Sequence, residues 1–162
     1  MCVIILSLIV FENIIENEDK TNMNIYFDID GVLKGSKSSI KDIETLVSYC
    51  IMHYNNSIFW LTTHCNNGIN NTRRVLDGSI SEDLLDQIEM TFHPTTWNTL
   101  KTDAIDFSKP FVWFDDTVLH AELEVMNQYE KKHKANRYGL FLMDAKDPNA
   151  AKDALEYLRA LR

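Results

Sequence analysis

Positive charge is in short supply in this chain: 16 Lys and Arg face 24 Asp and Glu, for a formal net charge of -8. Passive binding to nucleic acid or to an anionic membrane depends on clustered cations, so neither a stable nucleic-acid complex nor a membrane partner is expected. Five glycines and three prolines are too few for a fibrous or disordered chain. Cys2, Cys50 and Cys65 form no paired framework and no Cys-x-x-Cys zinc spacing. Their natural setting is a reducing cytoplasm and their default role is packing. Long apolar runs are also missing. Met1 to Phe11 is nearly all apolar but falls short of the about 20 residues of a membrane span, and it has neither a basic start nor a small-residue cleavage site.

What is present suits one substantial core: 162 residues, 45% hydrophobic and 25% charged. The first 22 residues differ from the rest, being apolar to Phe11 and then polar and acidic from Glu12 to Asn22. We expect a single domain over residues 23–162 that begins near Met23, with residues 1–22 an appended helix or a translation-start artefact. Mass spectrometry of the native amino terminus tests this, and a mature chain starting at Met1 counts against it.

From Met23 onward, strand and helix patterns alternate. Ile25 to Phe27 is a short apolar strand, and Ile40, Ile43, Leu46, Val47, Cys50, Ile51 and Tyr54 fall at helical spacing behind Ser39 as N-cap. A second strand covers Ser57 to Leu61, then a helix from Ile80 to Ile88 leads into a weak third strand at Glu89 to Phe92. Thr99 to Phe107 reads as a short helix, Phe111 to Phe114 as a fourth strand, and Val118 to His133 as a long helix. Gly139 to Met143 completes five strands, and Asp147 caps a final helix with Pro148 in its first turn and Leu155, Leu158 and Leu161 on its buried face. The expectation is an α/β, Rossmann-like three-layer sandwich: a five-stranded parallel sheet joined by right-handed crossovers, with helices on both faces.

A parallel sheet gathers its carboxyl ends on one edge, where open α/β folds bind ligands. Asp28 and Asp30 follow the first strand, Thr62, Thr63 and His64 the second, and Asp115 and Asp116 the fourth. Gly31 permits a sharp turn behind the first acid pair. An EF-hand reading of Asp28-Ile29-Asp30 fails, because Val32, Leu33 and Ser39 stand where that loop needs a ligand, Gly and Glu. Crowded carboxylates need a cation, and magnesium suits few carboxylates plus water and a phosphate oxygen. A fixed positive side chain should complete the site. Lys109 precedes the fourth strand and so lies on the wrong edge, about five residues at roughly 3.3 Å each from the acids. Lys101, opening the helix after the third strand, is the better placed.

Asp28-Ile29-Asp30-Gly31-Val32-Leu33, Leu61-Thr62-Thr63, Lys101 and Asp115-Asp116 resemble, in order and spacing, the four motifs of the haloacid dehalogenase superfamily, over about Asn24 to Asp116. Trp60-Leu61-Thr62-Thr63 is also similar to small members of that superfamily attached to RNA-repair proteins. The resemblance implies a phosphatase in which Asp28 is the nucleophile and Asp30 the general acid and base. It further implies magnesium held by Asp28, the Asp30 carbonyl and Asp116, phosphoryl oxygens held by Thr62 and Lys101, and an Asp115 that orients Lys101 or reaches the metal through water. Dehalogenating members do without the second acid and without magnesium, so a phosphorylated substrate is expected.

Both gaps where such enzymes carry a substrate-selecting cap are short here, Lys34 to Ser39 and Thr63 to Leu100, which favours an open site for a nucleotide, a nucleic-acid end or another bulky phosphomonoester. Thr63 and His64 are candidate substrate contacts, although no partner carboxylate for His64 is identifiable from sequence. Arg73, Arg74, Asn66, Asn67, Asn70 and Asn71 are candidates for a local binding surface. Trp60 and Trp113 read as core residues. Two alternatives remain: a phosphorylation switch resembling response-regulator receivers, whose phosphorylated Asp and Lys occupy other strands, and a domain that binds phosphate without turnover.

Overall fold

Asn24–Phe27 (β1) forms the middle strand of a five-stranded, all-parallel sheet in the computed structural model, which describes residues 23–67, 70–133 and 139–161. The expected amino-terminal extension, residues 1–22, lies outside the described residues. Ile58–Trp60 (β2) and Phe111–Asp115 (β4) flank β1, with Phe92–His93 (β3) beyond β2 and Leu140–Leu142 (β5) beyond β4. The chain thus builds outward from β1 in one direction and then returns to build in the other. Phe27 pairs with both Trp60 and Phe114, so the ends of β2 and β4 are level with the end of β1.

Every residue of β1 and β4 is buried, as near-continuous apolar strands in a sheet covered on both faces require. Alternation sends Ile25, Phe27, Val112 and Phe114 into one core and Tyr26, Phe111 and Trp113 into the other. The first core is closed by the helices Ile40–Tyr54 (α1), Glu82–Thr91 (α3) and Ala150–Ala160 (α5), through Leu46, Val47, Leu84, Ile88, Leu155 and Leu158. The second is closed by His120–His133 (α4), through Met126 and Tyr129. The result is a Rossmann-like three-layer sandwich. Among the described residues no helix is long and apolar enough to cross a membrane.

Ser39 caps α1 as its sequence suggests, accepting the Asp42 amide at 3.1 Å. Other boundaries move. α3 continues to Thr91, leaving β3 only Phe92 and His93, and a short helix at Thr72–Leu76 (α2) precedes it. The segment from Thr99 to Phe107 is not a helix beyond one 3-10 turn at Lys101–Ala104: Asp103 caps its start by accepting the Thr99 and Leu100 amides, and the chain leaves the turn at Ile105, which is extended. The final helix starts at Ala150, after Asn149 rather than Asp147. Asp147 instead closes the preceding turn by accepting the Asn149 amide, and buried Ser38 takes the Ala151 amide at 3.1 Å from across the fold. Leu161 is only half-buried at the end of that helix.

Candidate active site

The order reverses at β1, between β2-β3 on one side and β4-β5 on the other, and at such a switch point the crevice beyond the strand ends is left open. Asp28 extends β1 by one residue, donating its amide to Phe114 O at 2.9 Å, and Asp115 ends β4. Trp113 and Asp115 are two residues apart on one strand and so share a face. The 3-10 turn carrying Lys101 packs near α4 on that side, and Lys101 Nζ lies 3.0 Å from Asp28 Oδ2 and 2.6 Å from Asp115 Oδ2.

Asp28, Asp115 and Asp116 each offer a carboxylate oxygen within 4.8 Å of the others. Three acids and one lysine leave net negative charge in a mostly buried site. Burial pushes the Asp115 carboxyl up to about 6, with the neighbouring Asp28 carboxylate adding to the rise and Lys101 opposing it. For Lys101, burial works to lower its pKa, but the two carboxylates outweigh it and hold the ammonium above the ordinary lysine value.

Asp115 is also held by donors the sequence did not announce. Trp113 Nε1 donates to Asp115 Oδ2 at 3.0 Å and the Thr117 amide to Oδ1 at 3.1 Å, so with Lys101 both oxygens are engaged. Trp113 is fully buried, as expected of a core residue, yet its indole N–H reaches the acid cluster. The shared face of residues i and i+2 in a strand was the available signal. Glu122, 3% exposed, is a second addition. It accepts the Lys101 amide at 2.7 Å and the Leu119 amide at 2.9 Å, tying the lysine's turn to the first turn of α4. A glutamate three residues beyond a helix start is the sequence mark of such a cap.

Asp116 differs from Asp115: it has no hydrogen-bond or ion-pair partner among the described residues. Its carboxylate lies against Gly31, where any Cβ would overlap it. Gly31 also has φ +73°, in the left-handed region that favours glycine. The turn from Ile29 to Lys34 is closed by the Leu33 and Lys34 amides on Ile29 O, both at 2.9 Å, and by the Gly31 amide on Lys34 O at 2.7 Å.

Asp30, placed with the metal and catalytic residues from sequence, does not join the carboxylate cluster. Its side chain is 65% exposed, and Oδ2 lies 2.8 Å from His64 Nε2. Thr62 is fully buried just past β2, where the Leu61 amide bonds Phe27 O at 2.8 Å beside Asp28. Its side chain caps the 3-10 turn Thr63–Cys65, accepting the His64 amide at 3.5 Å. Thr63 is exposed on that turn. Lys109 stands at the amino end of β4, away from the cluster on the opposite edge.

The surface around the asparagines is partly committed to structure. Arg73 pairs with Glu82, Asp86 and Glu89 at 2.7 to 2.8 Å, stitching α2 to α3 rather than facing solvent as a free cation. Asn66 holds the Trp97 backbone by accepting its amide at 3.1 Å and donating to its carbonyl at 3.4 Å. Arg74, Asn67 and Asn70 are exposed and Asn71 half-buried. No protein-family model, curated protein or solved structure matches the chain.

Proposed function

We propose that the chain is a magnesium-dependent phosphomonoester hydrolase of the haloacid dehalogenase superfamily, acting through an aspartyl phosphate on Asp28. One observation carries the reading: Asp28, Asp115 and Asp116 converge on one another, with Lys101 bridging the first two, at the switch point of a parallel sheet. An all-oxygen donor set with an unpartnered carboxylate suits a hard divalent cation. Asp28, Asp116 and the Asp30 carbonyl would hold it, while Asp115 is occupied in fixing Lys101. When bound, magnesium supplies the positive charge that lets an anionic nucleophile approach an anionic phosphate.

The chain's own groups account for the remaining chemistry. An Asp28 carboxylate oxygen attacks phosphorus in line, and the bond to the leaving oxygen breaks as Asp30 protonates that oxygen. Asp30 then takes a proton from the water whose oxygen attacks the aspartyl phosphate, returning Asp28 to a carboxylate. Lys101 offsets the charge of the transferring phosphoryl oxygens, and Thr62 and Thr63, at the end of β2, would contact them. The exposed Asp30 side chain marks a mouth open to bulky substrates, so a nucleotide, a nucleic-acid end or another macromolecular phosphate is the substrate class we favour. Buried, unpaired Cys50 and Cys65 suit a reducing cytoplasm.

The test is magnesium-dependent phosphate release from p-nitrophenyl phosphate. Steady turnover that vanishes in Asp28→Asn supports the enzyme. A single stoichiometric labelling of Asp28 would instead make the chain a switch, and neither labelling nor turnover across a panel of phosphomonoesters would sink the reading.

A further inference from the structure

We infer that His64 is the positioning residue for Asp30, holding its carboxylate at the mouth of the site and out of the carboxylate cluster. The inference rests on the phosphatase reading above and assigns a residue that reading leaves without a task.

Three observations carry it. Asp30 sits on the tight turn after β1 with its side chain 65% exposed, so nothing in the core restrains its rotamers. A free carboxylate so close to a cation would be drawn in as an extra ligand and lost as an acid. His64 is the group that meets it, with Nε2 at 2.8 Å from Oδ2. His64 is itself anchored: its amide bonds Thr62 Oγ1, its carbonyl accepts the Asn71 amide at 3.0 Å, and the Cys65 amide closes the same turn on Thr62 O at 3.0 Å. A ring carried on an anchored backbone turn thus meets an exposed acid 34 residues away. With Nε2–H donating to Oδ2, Oδ1 remains free to carry the proton to the leaving oxygen and to take one from water.

A mere substrate contact and a positioning role separate by leaving group. We would compare kcat/KM for p-nitrophenyl phosphate, whose leaving group needs little protonation, with that for phenyl phosphate, whose leaving group needs more. His64→Ala is expected to lower kcat/KM about tenfold for phenyl phosphate and less than about twofold for p-nitrophenyl phosphate. His64→Gln, whose amide N–H reaches the same place, restores most of the loss. Equal losses on both substrates, or no loss, overturn the inference. Should the wild type turn over neither ester, the phosphatase reading fails first, and long-range 1H–15N NMR of the imidazole at pH 8 decides the remaining point. An Nε2–H tautomer perturbed by Asp30→Asn supports the pairing, and an Nδ1–H tautomer indifferent to that change removes it.

Discussion

The Asp116 carboxylate fills the space that a Cβ on Gly31 would need, so the turn behind the first acid pair and the acid after β4 are built as one unit. Two demands meet at Gly31, a left-handed φ of +73° and the absence of a side chain. Gly31→Ala is therefore expected to cost about 2 to 3 kcal/mol and to displace Asp116. Urea denaturation measures the first effect and magnesium-dependent activity the second. An alanine variant as stable and active as the parent would show that the two residues are not coupled.

Lys101 offsets two carboxylates from a position only 16% exposed. Lys101→Met keeps the stem and removes the charge. It should lower the proposed phosphatase activity at least about a hundredfold and stability by about 2 kcal/mol, since removing one partner leaves the others uncompensated. If added magnesium restores the stability but not the activity, the two roles of the lysine are separated.

The Asp115 contribution to the pH dependence of the metal-free protein runs opposite to that of an ordinary ion-paired acid. Asp115 has its pKa raised to about 6 by burial and by Asp28, so between the ordinary carboxylate value and about 6 the folded state holds this proton and the unfolded state does not. The Asp115 contribution is thus present at low pH and lost as pH rises from about 4 through about 6. Relative to Asp115→Asn, the wild type should lose stability over that window, and chemical denaturation at pH 4.5 and pH 7 measures the difference. Saturating magnesium should flatten it, because a cation favours the charged carboxylates.

Magnesium at a hundredfold its dissociation constant stabilises a protein that binds it only when folded by about 2.7 kcal/mol. A rise in melting temperature on adding magnesium, absent in Asp116→Asn, is the expected outcome. Equal responses in the two proteins would place the ion elsewhere.

Trp113→Phe removes one donor from Asp115 while keeping an aromatic ring in the second core. A stability loss of about 1 kcal/mol is expected. Activity should fall further than that loss explains, because Asp115 then holds Lys101 less firmly, and the ratio of kcat to KM effects reads the difference.

Much of the framework was legible in the chain. Ile25 to Phe27 and Phe111 to Phe114 are too apolar for anything but buried strands, and acids that directly follow such strands fall at the ligand-binding edge. That reasoning also chose Lys101 over Lys109, which stands at the other end of β4. Elements set by weaker local signals were less readable. The strand expected over Glu89 to Phe92 is mostly the last turn of α3, because helical hydrogen bonding runs on to Thr91 before the chain joins β2. The helix expected over Thr99 to Phe107 is a single turn, because the chain turns extended at Ile105, whose side chain is buried in the second core.

The amino-acid sequence by itself determined the alternation of strands and helices, the parallel sheet, and which residues leave the carboxyl ends of β1, β2 and β4, because hydrophobic periodicity and strand polarity are local properties. Only the tertiary structure decided which side chains meet. Trp113 and Glu122 join the site through a shared strand face and a helix start brought beside the Lys101 turn, Asp30 turns outward to His64, and Arg73 is consumed by three acids of α3. Apart from the Trp113–Asp115 pair, which a strand's alternation brings to one face, such pairings depend on distances between separate segments of the chain, which no local pattern encodes.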